Sequence, residues 1–312
     1  MRALLVGTIA VAVLAPAAVA SAAPTKSLQQ QIDEASANLE KITEQYNKVT
    51  EELHATQAAQ TALQVQLGPL QASMDDAYKA VSWIATKSYE SAPLGKGAAL
   101  LQAGSPAAFI DQLAALDQIG RQQHNQIAGY EQAKSKFDGQ KQQLDNANAA
   151  QTAQQQSLTA QKTQIETDLK ALYALRTKAY GTPTEPAGSK YTGTVPAVSG
   201  SAGVAVRFAY AQIGKPYVYA ADGPDSYDCS GLTMAAWRAA GTSLPHNAAE
   251  QWSKVHHIPR DQLAAGDLVF YNGLGHVAIY VGNNQVIHSP HAGSNVSLVS
   301  INVDSLYGYG RV

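Results

Sequence analysis

The sequence predicts an α+β protein in two parts, a long antiparallel α-helical hairpin followed by a smaller domain of helices and antiparallel strands. Three observations carry this reading. Gln is concentrated in the first part, with 25 between positions 25 and 180 against 4 between 181 and 312, while Gly runs the other way, 7 against 16. The first part spaces its apolar residues by alternating threes and fours, the rhythm of a helix seam. The second part sets short strand-like runs between turn residues, after a helix. The chain has 312 residues, enough for about two ordinary domains. Its formal net charge of −2 argues against a general nucleic-acid binder, which needs a basic face. A single cysteine, Cys229, excludes an intramolecular disulfide framework and a Cys-rich zinc module.

The N-terminus reads as a secretory signal peptide over residues 1–22. Arg2 precedes an apolar run at 3–15, small residues follow, and Ala20-Ser21-Ala22 fits a cleavage site. The run falls short of the roughly 20 residues that a spanning helix needs, and Pro16 interrupts it. The protein is therefore expected to work outside the cytoplasm, secreted or in the cell wall. Its lone cysteine should be a free thiol or an intermolecular link.

Residues 25–180 are expected to form the coiled-coil hairpin. Leu28, Ile32, Ala35, Leu39, Ile42, Tyr46, Val49 and Leu53 form the first seam, continued by Leu63, Leu67 and Leu70. The first helix should reach about Tyr89, with a kink at Gly68-Pro69 because proline removes a helical hydrogen bond. Gly104-Ser105-Pro106 breaks the chain before a second helix that starts near Pro106 or Leu113 and ends at Tyr180. Its seam is Tyr130, Phe137, Leu144, Leu158, Ile165 and Leu172. The rod reads either as a solvated spacer or as a lever that docks a membrane partner or covers the second domain. Its tip, residues 89–120, is the expected contact patch, because Leu100, Leu101, Phe109, Ile110 and Leu113 exceed what a turn needs. Residues 181–201, rich in Gly, Pro, Ser and Thr, read as a flexible linker.

The chemistry falls in residues 202–312. An amphipathic helix over 202–214 ends at a glycine cap, and a turn-rich stretch then delivers Asp228-Cys229-Ser230-Gly231 to the start of another helix. There the free N–H groups and the helix dipole favour the thiolate, and the same N–H groups can hold an oxyanion. Strands are expected at 268–271, 276–281, 285–288, 296–299 and 307–312, with Gly282-Asn283-Asn284 as a hairpin turn. His276 and His288 flank that hairpin and can stand side by side. A Cys–His pair with a third polar group suits covalent acyl transfer. Cys229 would attack, His276 would take its proton and return it to the leaving amine, and His288 would fix the tautomer of His276. His288 could instead be a strand-end histidine satisfied by backbone. His256, His257 and His291 read as exposed loop residues. A metal site from Cys229, His276, His288 and His291 lacks the usual ligand spacing, so neither metal nor cofactor is expected.

The segments YVYAADGPDSYDCSGL, LPHNAAEQW, AGDLVFY and GHVAIYVGNNQVIHS resemble the NlpC/p60 family of papain-like cysteine peptidases. The resemblance covers residues 202–312 and implies a papain-like α+β catalytic domain. It also implies cleavage of peptidoglycan stem peptides between γ-D-glutamate and a diamino acid. It places the nucleophile on Cys229, the base on His276 and the third polar residue on His288. Tyr217 falls where a hydroxyl faces the oxyanion or substrate, and Asp228 and Ser230 fall on the flanks of the substrate groove. The hairpin resembles that of cell-wall hydrolases of the actinobacterial Rip type, which implies recruitment or gating by a membrane division complex of the FtsEX kind. Two positions depart from the family pattern: Ala220-Ala221 replace Gly-Gly, and His246 replaces an arginine. Two other readings remain open. One is a CHAP-like amidase that cuts muramic acid from L-Ala. The other is a recruitment or regulatory coiled coil with secondary catalysis.

Overall fold

The computed structural model describes residues 26–91, 105–186 and 188–312. The proposed signal peptide, and Leu100 and Leu101 of the proposed tip, lie outside them. Helices α1 (Leu28–Ser91) and α2 (Pro106–Tyr180) form the N-terminal pair. At 1.5 Å per residue they are about 95 and 110 Å long. α1 runs unbroken through Pro69, so this proline does not end the helix. Ser105 caps α2 by accepting a hydrogen bond from the Ala108 N–H, and Gly181 ends it in the left-handed conformation at φ 77°. Both caps satisfy backbone groups that a helix end leaves free.

The two seams meet, but unevenly. Ile32 and Leu39 of α1 pack with Ile165 and Leu172 of α2, all almost fully buried, and Ile42, Leu169 and Leu175 pad this cluster. Farther out the seam turns polar. Gln60 donates to Asn148 and Gln151 across the pair. Beyond that, Tyr78 leans on Tyr130, while Trp83, Tyr89, Phe109, Ile110 and Leu113 stand exposed. The buried end is the one nearest the second domain, because Tyr217 and Ala292 belong to the same apolar cluster.

The C-terminal domain is α+β. Helices α3 (Gly200–Gln212), α4 (Cys229–Ala239) and α5 (Ala248–Lys254) precede a six-stranded antiparallel sheet. Its strands are β1 (His256–Ile258), β2 (Leu268–Tyr271), β3 (His276–Gly282), β4 (Gln285–His288), β5 (Ser297–Ser300) and β6 (Leu306–Arg311), in the order β1-β6-β2-β3-β4-β5. Strand alternation splits the core. Leu268, Phe270, Val277 and Ile279 face Ala205, Val206, Leu232 and Trp237 of α3 and α4. Val269, Tyr271, Ala278 and Val286 fill the other face with Ile301 and Tyr309. Asn283 and Asn284, at φ 54° and 53°, make the tight turn between β3 and β4.

Several elements differ from the sequence reading. α3 starts at Gly200 and is capped at Ile213, with the left-handed Gly214 one residue beyond. α5 and β1 have no counterpart in the sequence reading, because a seven-residue helix and a three-residue strand are too short for periodicity to register. His256 and His257 therefore lie on an edge strand paired with β6, and His291 is half-buried. The segment after α2 is held against the domain. The Glu185 N–H donates to the Gly293 carbonyl, the Asn295 side chain donates to the Pro186 carbonyl, and Arg176 of α2 pairs with Glu185.

Candidate active site

Cys229 is the first residue of α4. Asp228 caps that helix, its side chain accepting from the Gly231 N–H at 2.7 Å. Gly231 makes the turn possible, since a Cβ there would lie 2.2 Å from the Ala221 carbonyl oxygen. His276 opens β3 and His288 closes β4. Antiparallel pairing of the two strands sets their rings edge to face, with Nε2 of His276 3.0 Å from Nδ1 of His288. Burial, then the neighbouring His276 and His291, push the His288 pKa well down, so His288 is neutral. A neutral His288 can accept at Nδ1, which puts the proton of His276 on Nε2 and leaves Nδ1 free as a base. That Nδ1 is buried without an aligned hydrogen bond among the described residues.

Tyr217 is also buried, in the apolar cluster at the base of the helical pair. Burial, then the charges of Asp228, Cys229 and Glu40, hold its hydroxyl well above the ordinary tyrosine range, so it stays protonated. Ser230 is fully buried beside Cys229. His246, in the position where arginine was expected, grips Asp228 through Nε2, 2.8 and 2.9 Å from the two carboxylate oxygens. Burial alone would lower its pKa, but the charge and hydrogen bonds of Asp228, with the charges of Glu44 and Asp222, together outweigh it and the pKa rises.

A second set of residues reaches this site from α1. Glu40, Glu44, Asn47 and Glu51 are spaced by four, three and four, so they form one stripe on the helix. Glu44 reaches the nucleophile. Its Oε1 accepts from the Ser230 hydroxyl at 2.7 Å and lies 3.4 Å from the Cys229 Sγ. Its Oε2 accepts from the Ala248 N–H at 2.6 Å and from Asn247 Nδ2 at 2.9 Å. Glu40 places Oε1 3.3 Å from Nδ1 of His276, an ion-pair contact rather than an aligned hydrogen bond. Asn47 donates to Asp228 at 2.9 Å, and Glu51 accepts from the His246 N–H at 3.1 Å.

These contacts reset the electrostatics. Burial and then Asp228 raise the Glu44 pKa to about 7, against hydrogen bonds from Ala248, Ser230 and Cys229 that lower it. The Cys229 thiol is pushed well up by burial, then by Glu44, Asp228 and Glu40. The helix start alone favours a thiolate, as the sequence suggests, but with α1 in place three carboxylates and burial outweigh it. His276 moves up as well, burial lowering it and Glu40, Asp304 and Glu44 together more than compensating.

The side chains of Glu44, Asp228 and Cys229 present ligand-type atoms within 4.8 Å of one another. This is a different set from the Cys229, His276, His288 and His291 considered from sequence. The oxygens of Glu44 are already taken by N–H and O–H donors, and Asp228 caps a helix, which is the arrangement of a carboxylate in a hydrogen-bonding cradle. The α1 stripe, Asn247 and the Ala248 N–H were missed from sequence. The only signal was an acidic and amide stripe at helical spacing, which usually marks a solvated face.

Residues 214–308 match the NlpC/P60 family. The probable endopeptidase p60 of Listeria grayi is 38% identical over 121 residues, covering 36% of this chain and 24% of that protein. The peptidoglycan endopeptidase RipA of Mycobacterium tuberculosis is 32% identical over 158 residues, covering 45% of this chain and 33% of that protein. The chain thus spans about a quarter to a third of the length of these relatives. Among solved structures, the NlpC/p60 domain of the peptidoglycan hydrolase SagA is 32% identical, covers 36% of this chain and 98% of that one, and has a TM-score of 0.34. The chain therefore carries, in residues 214–308, a domain of the NlpC/P60 family.

Proposed function

We propose that the protein is an exported peptidoglycan hydrolase, a cysteine endopeptidase that cuts stem peptides at the γ-D-glutamyl–diamino acid bond and is held closed by its own first helix. The observation that carries the peptidase reading is the hydrogen bond between His276 and His288, which leaves Nδ1 of His276 free on the side of the site that α1 covers. In the open site, Cys229 gives its proton to that nitrogen and the thiolate attacks the scissile carbonyl. Backbone N–H at the start of α4 and the protonated Tyr217 stabilise the oxyanion, and Asp228 and Ser230 flank the substrate. His276 then protonates the leaving amine, and water hydrolyses the thioester. The membrane partner implied by the resemblance, a division complex of the FtsEX kind, would act by removing α1. The exposed aromatic residues of the distal hairpin give it a surface to grip.

One experiment tests the bond, the nucleophile and the closure together. Purified peptidoglycan is digested with the full chain, with Cys229→Ala, and with a triple variant, Glu40→Ala, Glu44→Ala and Asn47→Ala. Alanine keeps the helix while removing the stripe. The triple variant should hydrolyse the wall at least about tenfold faster than the wild type, since three buried polar anchors of roughly 1 kcal/mol or more each are lost. Its fragments should show new free amines without new reducing ends. Lysis by Cys229→Ala would end the thiol mechanism, and release of whole stem peptides from the lactyl group would replace the endopeptidase with an amidase.

A further inference from the structure

β6 begins with an irregularity. Phe270 pairs with Gly308 and Tyr271 with Leu306, so Tyr307 is an extra residue with no partner across the ladder. A bulge of this kind bends its strand and re-aims a side chain, and bulges gather beside active sites. This one turns Tyr307 onto Trp252 of α5, with ring centroids 5.2 Å apart at 83°. Gly308 makes the approach possible, since a Cβ there would lie 2.7 Å from the Trp252 ring. His257 stacks on Trp252 from β1, centroids 3.6 Å apart at 11°, and the buried Phe270 meets it edge to face. The outcome is a braced aromatic platform. Its outer ring, Tyr307, is 50% exposed, and Val303 and Leu306 are exposed beside it. They are open with α1 docked, so the helix that covers Cys229 leaves this surface free.

We propose that this platform is a subsite for an N-acetylated sugar of the glycan strand, separate from the Cys229 site and accessible in the closed enzyme. The choice of ligand rests on the peptidoglycan reading above; the platform itself does not. Position supports it. Tyr271 pairs with His276 on one side and with Leu306 on the other, so the bulge starts two strand spacings from the base, about 10 Å. In peptidoglycan the γ-D-glutamyl bond is separated from muramic acid by the glutamate, an alanine and the lactyl group, three units that span roughly 10 Å when extended. Chemistry supports it as well. One face of a sugar ring carries C–H bonds and stacks on an aromatic ring, while its hydroxyl and acetamido groups need polar partners at the rim. Asn302, Asp304 and Ser305, exposed on the loop into β6, offer such partners. A protein partner would call for more, since standard interfaces bury about 800 Å² on each side, and one ring flanked by two aliphatic side chains is far smaller. The closed enzyme would then be held on the wall by a contact that does not involve its catalytic residues.

The test uses the full chain and a soluble N-acetylglucosamine tetramer, which carries no stem peptide. Isothermal titration calorimetry should show binding by the wild type and by Tyr307→Phe, which keeps the ring. Tyr307→Ala should lose at least about tenfold in affinity, as removal of a stacking ring does. Tyr307 is exposed, so its truncation leaves the core intact. A second arm uses the triple substitution at 40, 44 and 47. In that background Tyr307→Ala should slow hydrolysis of intact peptidoglycan at limiting substrate by at least about threefold, through KM rather than kcat, and should leave cleavage of a sugar-free stem peptide within about twofold. Absence of tetramer binding, equal binding by wild type and Tyr307→Ala, or slowing of wall and stem peptide alike would overturn the subsite. Tetramer binding that depends on Tyr307, in a chain whose triple variant cleaves no stem peptide, would keep the subsite and remove the peptidase reading.

Discussion

At the scale of single residues, His246 shows how a departure from a family pattern changes the physics. An arginine would carry a permanent charge beside Asp228, whereas His246 titrates. Its pKa is raised by Asp228, so its contribution to stability is full below its ordinary value of 6.5 and is lost as pH rises through the higher folded value. His246→Ala should therefore lower the stability of the full chain by about 1–3 kcal/mol at pH 5.5, and by less at pH 9. His246→Arg should show little pH dependence. Urea unfolding followed at the two pH values checks this, and an equal cost at both would show that His246 acts by packing alone. The residues around it divide in legibility. Cys229, His276 and His288 stood out in the sequence because each sits at a strand or helix end in a short, turn-bounded motif, and the structure joins two of them, His276 and His288, by a hydrogen bond. Asn247 was not, because its side chain matters through α1, two hundred residues away.

At the scale of elements, α1 is both half of a seam and the cover of the site. Ile32 and Leu39 face α2, while Glu44 and Asn47 turn toward α4 and α5 and Glu40 turns toward β3. From sequence the seam was visible and the stripe was not, since periodicity identifies an apolar face but not what a polar face meets. The same limit explains the thiol. A helix start predicts a reactive Cys229, and burial, with Glu44, Asp228 and Glu40 beside it, reverses this. Closure should be pH-dependent with a definite sign. Glu44 titrates near 4.5 in water and at about 7 when docked, so the docked helix binds a proton more tightly than the free one. Docking is then strongest below about pH 4.5 and weakens as pH rises to about 7. The full loss is on the order of 3 kcal/mol at 1.36 kcal/mol per pKa unit. Glu44→Gln keeps the shape without the titration. The ratio of wild-type to Glu44→Gln wall hydrolysis should rise between pH 5 and 7.5, and a flat ratio would show that Glu44 does not control release.

At the scale of the whole molecule, the helical pair is strong at its base and weak beyond it. Ile165 and Leu172 are completely buried there, while Gln60, Asn148 and Gln151 replace apolar contacts farther along. Ile165→Ala should cost about 2–5 kcal/mol locally and loosen α1 from α2. Basal wall hydrolysis should rise although the substituted residue lies outside the stripe and the Cys-His-His constellation. An unchanged rate would show that α1 is held by the catalytic domain alone. The two-part α+β plan was legible from composition, because a Gln-rich rod and a Gly-rich sheet domain are chemically distinct. That the parts are packed on each other was not, since their contacts join residues near position 44 to residues near 229 and 247.

The four-residue step of the stripe makes the cover direction-sensitive. A helix repeats its face about every 5.4 Å. If α1 slides by one turn toward its far end, Glu40 arrives where Glu44 was, and the cradle again meets a carboxylate. If it slides one turn the other way, Lys48 arrives, and an ammonium group faces the Asn247 amide and the Ala248 N–H. In the closure proposed above, a pull along the rod would therefore exchange one carboxylate for another, whereas a push would bring an ammonium group to the cradle.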